Sequence, residues 1–168
     1  LAGHFMGGWL AAEMAAMSPQ VLDHLILIGA AGIQPKDGEI TDIFLHGQEG
    51  TRQLAYFDPS QVPEYEELFK SKRTKEEPAF PAQNQETVVR YCWKPYMFSS
   101  SLPGLLGRVR APTLIIWGQD DQIVPLECST LYQQALPNAR VEVIPQCGNC
   151  PPLEKTSKFI QLVQNFLK

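Results

Sequence analysis

Residues Leu1-Ala2-Gly3-His4-Phe5-Met6-Gly7-Gly8 decide how the rest of the chain reads. Leu1-Ala2 can be only the tail of a strand, and the glycines at 3, 7 and 8 punctuate a sharp turn where two backbones must come close. Trp9 to Met17 follows as a helix apolar on nearly every face and stopped by Ser18-Pro19, the pattern of a buried helix. Next comes His24-Leu-Ile-Leu-Ile-Gly29, a short continuous apolar run bounded by glycine, which predicts a parallel strand covered on both faces.

The same style returns after residue 110. Ala111-Pro-Thr-Leu-Ile-Ile-Trp-Gly118 reads as a buried strand, Leu126 to Leu136 as a helix stopped by Pro137, and Val141-Glu-Val-Ile144 as another strand. Phe159, Ile160, Leu162, Val163, Phe166 and Leu167 recur at helical spacing, predicting a closing helix with one face on the sheet. Alternating strands and helices imply an α/β fold, a parallel sheet with helices on both faces. Between the two blocks, residues 34–110 are polar and proline-containing, with amphipathic pieces at 64–70 and 86–93. The chain thus divides into core (1–33), helical insertion (34–110) and core (111–168). The charged stretch 70–77 mixes both signs and reads as a solvated helix end.

Composition removes several function classes. With 168 residues, 44% hydrophobic and 19% charged, the chain has the make-up of one globular domain. A net charge of -4 gives no general attraction to nucleic acid or an anionic membrane. No apolar run approaches the ~18 residues a bilayer requires, and the first Lys or Arg is Lys36, so no secretory leader is signalled. Four cysteines are too sparse for a disulfide framework and fit a reducing, cytoplasmic setting.

Gly3-His4-Phe5-Met6-Gly7 resembles the nucleophile elbow of the α/β-hydrolase fold, Gly-x-Ser-x-Gly on a strand-to-helix turn. The resemblance continues in the family's order of nucleophile, acid and histidine. Trp117-Gly118-Gln119-Asp120-Asp121-Gln122-Ile123-Val124-Pro125 is similar to the acid loop, where the acid stands three residues after the glycine, which selects Asp121. Gln146-Cys147-Gly148-Asn149-Cys150-Pro151 is similar to the Gly-His loop, with Asn149 in the histidine's place. The resemblance implies a partial α/β-hydrolase fold in which 34–110 is a cap over the pocket. It also makes Gly3 and Gly7 elbow glycines, the Met6 N–H an oxyanion donor and Phe5 the occupant of the nucleophile position. Phe5 has no lone pair to attack a carbonyl, and Asn149 cannot accept and return a proton near neutral pH. Acyl transfer by the family's route is therefore expected to be absent.

Strands that precede the elbow in that family are missing from this sequence. The resemblance implies a fragment, with the strand at 24–29 offering an unpaired edge to a separate N-terminal chain or to a second copy. Of the histidines, His4 belongs to the turn, His24 opens a strand and His46 lies in the insertion; a structural role is expected for all three, with His46 the one worth testing as a replacement base. Cys147-Gly-Asn-Cys150 raises a metal or thiol-redox role, but a structural zinc needs two more ligands, and Cys92 and Cys128 are isolated. No metal and no cofactor is expected. Three functions stand: a disabled ester or carbon–carbon bond hydrolase taking small ester or ketone-like molecules, a non-catalytic small-molecule-binding or protein-interaction module on the same fold, and a Cys-x-x-Cys metal or redox protein.

Overall fold

Among the described residues four parallel strands lie in chain order: β1 (Ala2–His4), β2 (Leu25–Ile28), β3 (Thr113–Gly118) and β4 (Ala139–Ile144). The computed structural model describes residues 1–62 and 80–168; the amphipathic piece at 64–70 and the charged stretch 70–77 lie outside them. Among the described residues the helices are α1 (Met6–Met17), α2 (Gly47–Ala55), α3 (Phe80–Cys92), α4 (Leu102–Leu106), α5 (Glu127–Ala135), α6 (Pro151–Glu154) and α7 (Thr156–Phe166), with a 3-10 turn at Pro59–Gln61.

The continuous apolar run of β2 is explained by helices on both sides of the sheet. Leu25 and Leu27 join Ile115 and Trp117 in a core shared with α1, α4 and α5, while Ile26 and Ile28 join Leu114, Ile116 and Ile144 beneath α7. Successive strand side chains point to opposite faces, so a strand covered twice must be apolar at every position. Each such side chain contributes about 1.5–3 kcal/mol on burial.

Three expectations need correction. The strand at 24–29 has no open edge, because β1 pairs with it in parallel register, Ala2 with Ile26 through His4 with Ile28; three residues suffice for the ladder that the sequence treated as a strand's tail. Among the described residues the outermost strand on that side is β1 itself. Secondly, α1 is not enclosed on every face: Ala11, Ala12, Ala15 and Ala16 are buried, whereas Leu10, Met14 and Met17 are exposed. Thirdly, α7 buries Leu162 and packs Phe159, Val163 and Phe166 around it, but Ile160 and Leu167 face solvent, since a single helical stripe holds only positions three and four apart. Helices α2 and α4 were not foreseen, being short and of mixed composition.

The turn between β1 and α1 shows which glycines the close approach requires. A Cβ on Gly3 would stand 2.1 Å from the Gly7 carbonyl oxygen, and one on Gly8 would stand 2.6 Å from the Ala30 Cβ. At Gly7, one of the two glycines assigned by resemblance, an added Cβ meets nothing within 4 Å. Gly3→Ala and Gly8→Ala are each expected to lower stability by about 1–3 kcal/mol or more through overpacking. Gly7→Ala should be neutral or stabilising by up to ~1 kcal/mol from helix propensity. Urea unfolding midpoints of the three variants check this ordering.

Candidate functional site

Parallel strands deliver their following loops to one edge of the sheet, and that edge collects the candidate residues. Phe5 follows β1, Asp121 lies three residues beyond β3, and Asn149 lies in the loop between β4 and α6. Gly118 ends β3 where a side chain cannot fit, as its Cβ would meet the Gly148 carbonyl oxygen at 1.9 Å. The acid loop and the 146–150 loop are thereby pressed together, and the Asp120 N–H donates to the Cys147 carbonyl at 2.9 Å.

Phe5 has φ 49° and ψ -114°, a backbone conformation that costs a non-glycine residue about 1–3 kcal/mol. Hydrogen bonds hold it there: its N–H donates to the Ile28 carbonyl at 3.0 Å, and its carbonyl accepts from the N–H groups of Trp9 and Ala31, both at 3.2 Å. The ring is half-buried against the core on the α1 side of the sheet. Met6 opens α1, so its N–H has no partner within the helix.

Asp121 and Asn149 are in direct contact. The Asn149 Nδ2 donates to Asp121 Oδ2 at 2.8 Å and to the Gly29 carbonyl at 3.3 Å, while Asp121 Oδ1 accepts from the N–H groups of Ile123 and Val124 at 2.8 and 2.9 Å. On the other side of the amide, His4 Nε2 lies 2.9 Å from Asn149 Oδ1 and 2.8 Å from the Asn149 carbonyl oxygen. Two oxygen neighbours require that Nε2 carry the proton. Burial lowers the pKa of His4 against the raising effect of these bonds, so the ring is a neutral donor, not a base. Burial also raises the carboxyl of Asp121 to about 6, against hydrogen bonds from Asn149, Val124 and Ile123 that pull it down.

The structure thus brings residues 121 and 149 together, and His4, the residue before Phe5, bonds Asn149. His4, expected in a structural role, is held in one by its hydrogen bonds to Asn149. His46 is exposed at the start of α2, and His24 stacks edge-on against Phe166. Cys150 Sγ lies 3.9 Å from His4 Nε2, and burial lifts its thiol to about 11. Cys147 is buried against Glu154 and is lifted as well, first by burial and then by that carboxylate. Reactive thiols need the opposite shift. Among the described residues no group of three or more His, Cys, Asp or Glu side chains could hold a metal ion.

Comparison with known proteins adds the family. Residues 65–156 match the model of the alpha/beta hydrolase fold family. The chain is 28% identical over 191 residues to a 2-hydroxymuconate semialdehyde hydrolase from Pseudomonas putida, covering 99% of this chain and 61% of the relative. It is 30% identical over 181 residues to a 2-hydroxy-6-oxo-6-phenylhexa-2,4-dienoate hydrolase from Comamonas testosteroni, covering 100% and 62%. Among solved structures, a meta-cleavage product hydrolase from Pseudomonas fluorescens IP01 superposes with a TM-score of 0.76 at 26% identity, over 99% of this chain and 63% of the other. The chain therefore spans about six tenths of the length of these curated relatives.

Asp121 carries a testable consequence. Its folded-state pKa of about 6 exceeds the ordinary carboxyl value of ~4, so the folded state binds the proton more tightly than the unfolded chain. Its contribution to stability is greatest below pH ~4, falls as pH rises towards ~6 and is flat above, a loss on the order of 2–3 kcal/mol. Asp121→Asn should abolish that component: the stability of the parent relative to the variant is expected to decline between pH 4 and 6 in urea titrations.

Proposed function

Since this chain belongs to the α/β-hydrolase fold family, we propose that it carries a Ser-Asp-His hydrolase site of the ester or carbon–carbon type in disabled form. The observation that carries this reading is the 2.8 Å hydrogen bond from Asn149 Nδ2 to Asp121 Oδ2. In it the acid still orients the side chain at the histidine position, although that side chain can no longer move a proton. Phe5 occupies the nucleophile position in the backbone conformation that exposes a nucleophile, without an atom able to attack. Met6 N–H is the oxyanion donor of this reading, and Gly3, with Gly8 in the part expected of Gly7, its elbow glycine. The losses at 5 and 149 together are worth roughly 10⁶-fold in turnover.

The relatives named above favour the carbon–carbon branch as the lineage, with small molecules carrying an ester or ketone-like carbonyl as the substrate class. Residues 34–110 are the cap of this reading, between core segments 1–33 and 111–168. Contacts at their border support it: the Asn149 N–H donates to the Ala55 carbonyl at 2.8 Å, and the Phe57 N–H to Glu154 at 2.7 Å. Four free cysteines accord with a reducing, cytoplasmic setting. A second reading, a non-catalytic binder of small molecules on the same fold, is favoured by an apolar cleft beside α1.

The test is covalent labelling by a fluorophosphonate, followed by intact mass, with hydrolysis of a short-chain nitrophenyl ester alongside. The parent, Phe5→Ser alone and Asn149→His alone are expected to remain unlabelled and inactive, while Phe5→Ser with Asn149→His gains one label on residue 5 and measurable turnover. Turnover by the parent, or a doubly reverted protein that folds and takes no label, would overturn the reading.

A further inference from the structure

At the end of the sheet away from β1, among the described residues, β4 pairs with β3 and no strand lies beyond it. Its alternation fixes what it offers outward. The carbonyls of Asn138 and Ile144 accept from the N–H groups of Thr113 and Gln119 at 2.8 and 2.9 Å, so the even-numbered residues of this stretch bond to β3. The N–H and C=O groups of Ala139, Val141 and Val143 therefore point away from the sheet, a row that another strand can use.

The side chains follow the same alternation. Ala139 and Val141 pack on the α5 side, whereas Ile144 lies on the α7 side, which places Arg140 and Glu142 there as well. Arg140 is exposed, with its guanidinium 5.3 Å from the centre of the Phe166 ring, and Glu142 is half-buried. Neither forms an ion pair among the described residues.

Edge strands commonly resist pairing through proline or lysine, and β4 contains neither. Opposite charges two residues apart make it complementary to itself run backwards. In an antiparallel pair centred on Val141, that residue faces Val141 of the second copy and Ala139 faces Val143, and these outward-pointing positions exchange backbone hydrogen bonds. Arg140 then faces Glu142 across the positions where opposed side chains stand closest, and two-fold symmetry repeats the contact. Sliding the second copy by two residues sets Arg140 against Arg140 or Glu142 against Glu142; sliding it by one opposes outward groups to inward ones. One register satisfies both charge and backbone.

We infer that the outer edge of β4 is a homodimer interface, in which a second copy of this chain pairs antiparallel about Val141 and reciprocal Arg140–Glu142 ion pairs fix the register. The pairing requires nothing of residues 5, 121 and 149, so it stands or falls apart from the labelling experiment.

Sedimentation equilibrium tests it by charge exchange. The parent is expected to be a dimer at micromolar concentration. Arg140→Glu alone and Glu142→Arg alone each make both contacts repulsive and should weaken the dimer at least about tenfold. Arg140→Glu combined with Glu142→Arg restores opposite charges in the same register and should return the dimer to within about threefold of the parent. An equimolar mixture of the two single variants should form heterodimers, because the glutamates of one then face the arginines of the other; that outcome also shows both variants to be folded. In amide hydrogen exchange, Ala139, Val141 and Val143 should gain protection with rising concentration, while Arg140 and Glu142, already bonded to β3, should not. A monomeric parent, a dimer indifferent to the single substitutions, or a mixture no more associated than its components would overturn the inference.

Discussion

The buried amide of Asn149 joins the ends of three strands. Its Nδ2 donates to the Asp121 carboxyl beyond β3 and the Gly29 carbonyl beyond β2, and its Oδ1 accepts a hydrogen bond from His4 Nε2 at the end of β1. A buried amide left without partners would cost about 1–3 kcal/mol for each unmet group. The loops around it are shaped accordingly. Gly29, at φ +47°, leaves the space in which a Cβ would come within 2.7 Å of Asn149 Nδ2, and Gly118 lets the 146–150 loop close over β3.

An amide suits this position because it offers a donor on one side and an acceptor on the other without titrating. Imidazole could present a donor to Asp121 as well, but its second nitrogen would then be free to take up a proton. Asparagine exchanges that capacity for a second fixed hydrogen bond, the one from His4. The architecture around residue 5 has the same character: a hydrogen bond from its N–H to the Ile28 carbonyl and hydrogen bonds to its carbonyl from Trp9 and Ala31 stabilise a backbone conformation from which a phenyl ring gains no chemistry. The scaffold persists because its cohesion rests on backbone bonds and apolar packing, neither of which needs a serine or a histidine.

Much of the core was legible in residue patterns. The runs at 24–29 and 111–118 announced doubly covered strands, because apolar residues at every position have one economical explanation in a parallel sheet. Asp121 and Asn149 could be singled out only through the resemblance of their loops to the family's acid and Gly-His loops. The α2 and α4 helices were not legible: their side chains alternate in character over too few residues to set up a period. Nor was the exposure of Leu10, Met14 and Met17, since hydropathy records what a side chain prefers and not whether a neighbour has arrived to cover it.

The residue order by itself determined the α/β class, the parallel sheet, the two halves of the core and the absence of a nucleophile and a proton shuttle at positions 5 and 149. These follow from side-chain chemistry and from periods of two and 3.6 residues, which are local. Only the tertiary structure decided that β1 closes the edge of β2, that Gly8 shares with Gly3 the close approach otherwise assigned to Gly7, and that His4 binds Asn149. It alone set Trp9 and Glu13 of α1 across a cleft from Tyr91 of α3. Each of these depends on distances between segments far apart in the chain, and such distances are fixed only when the whole sheet and its helices pack at once.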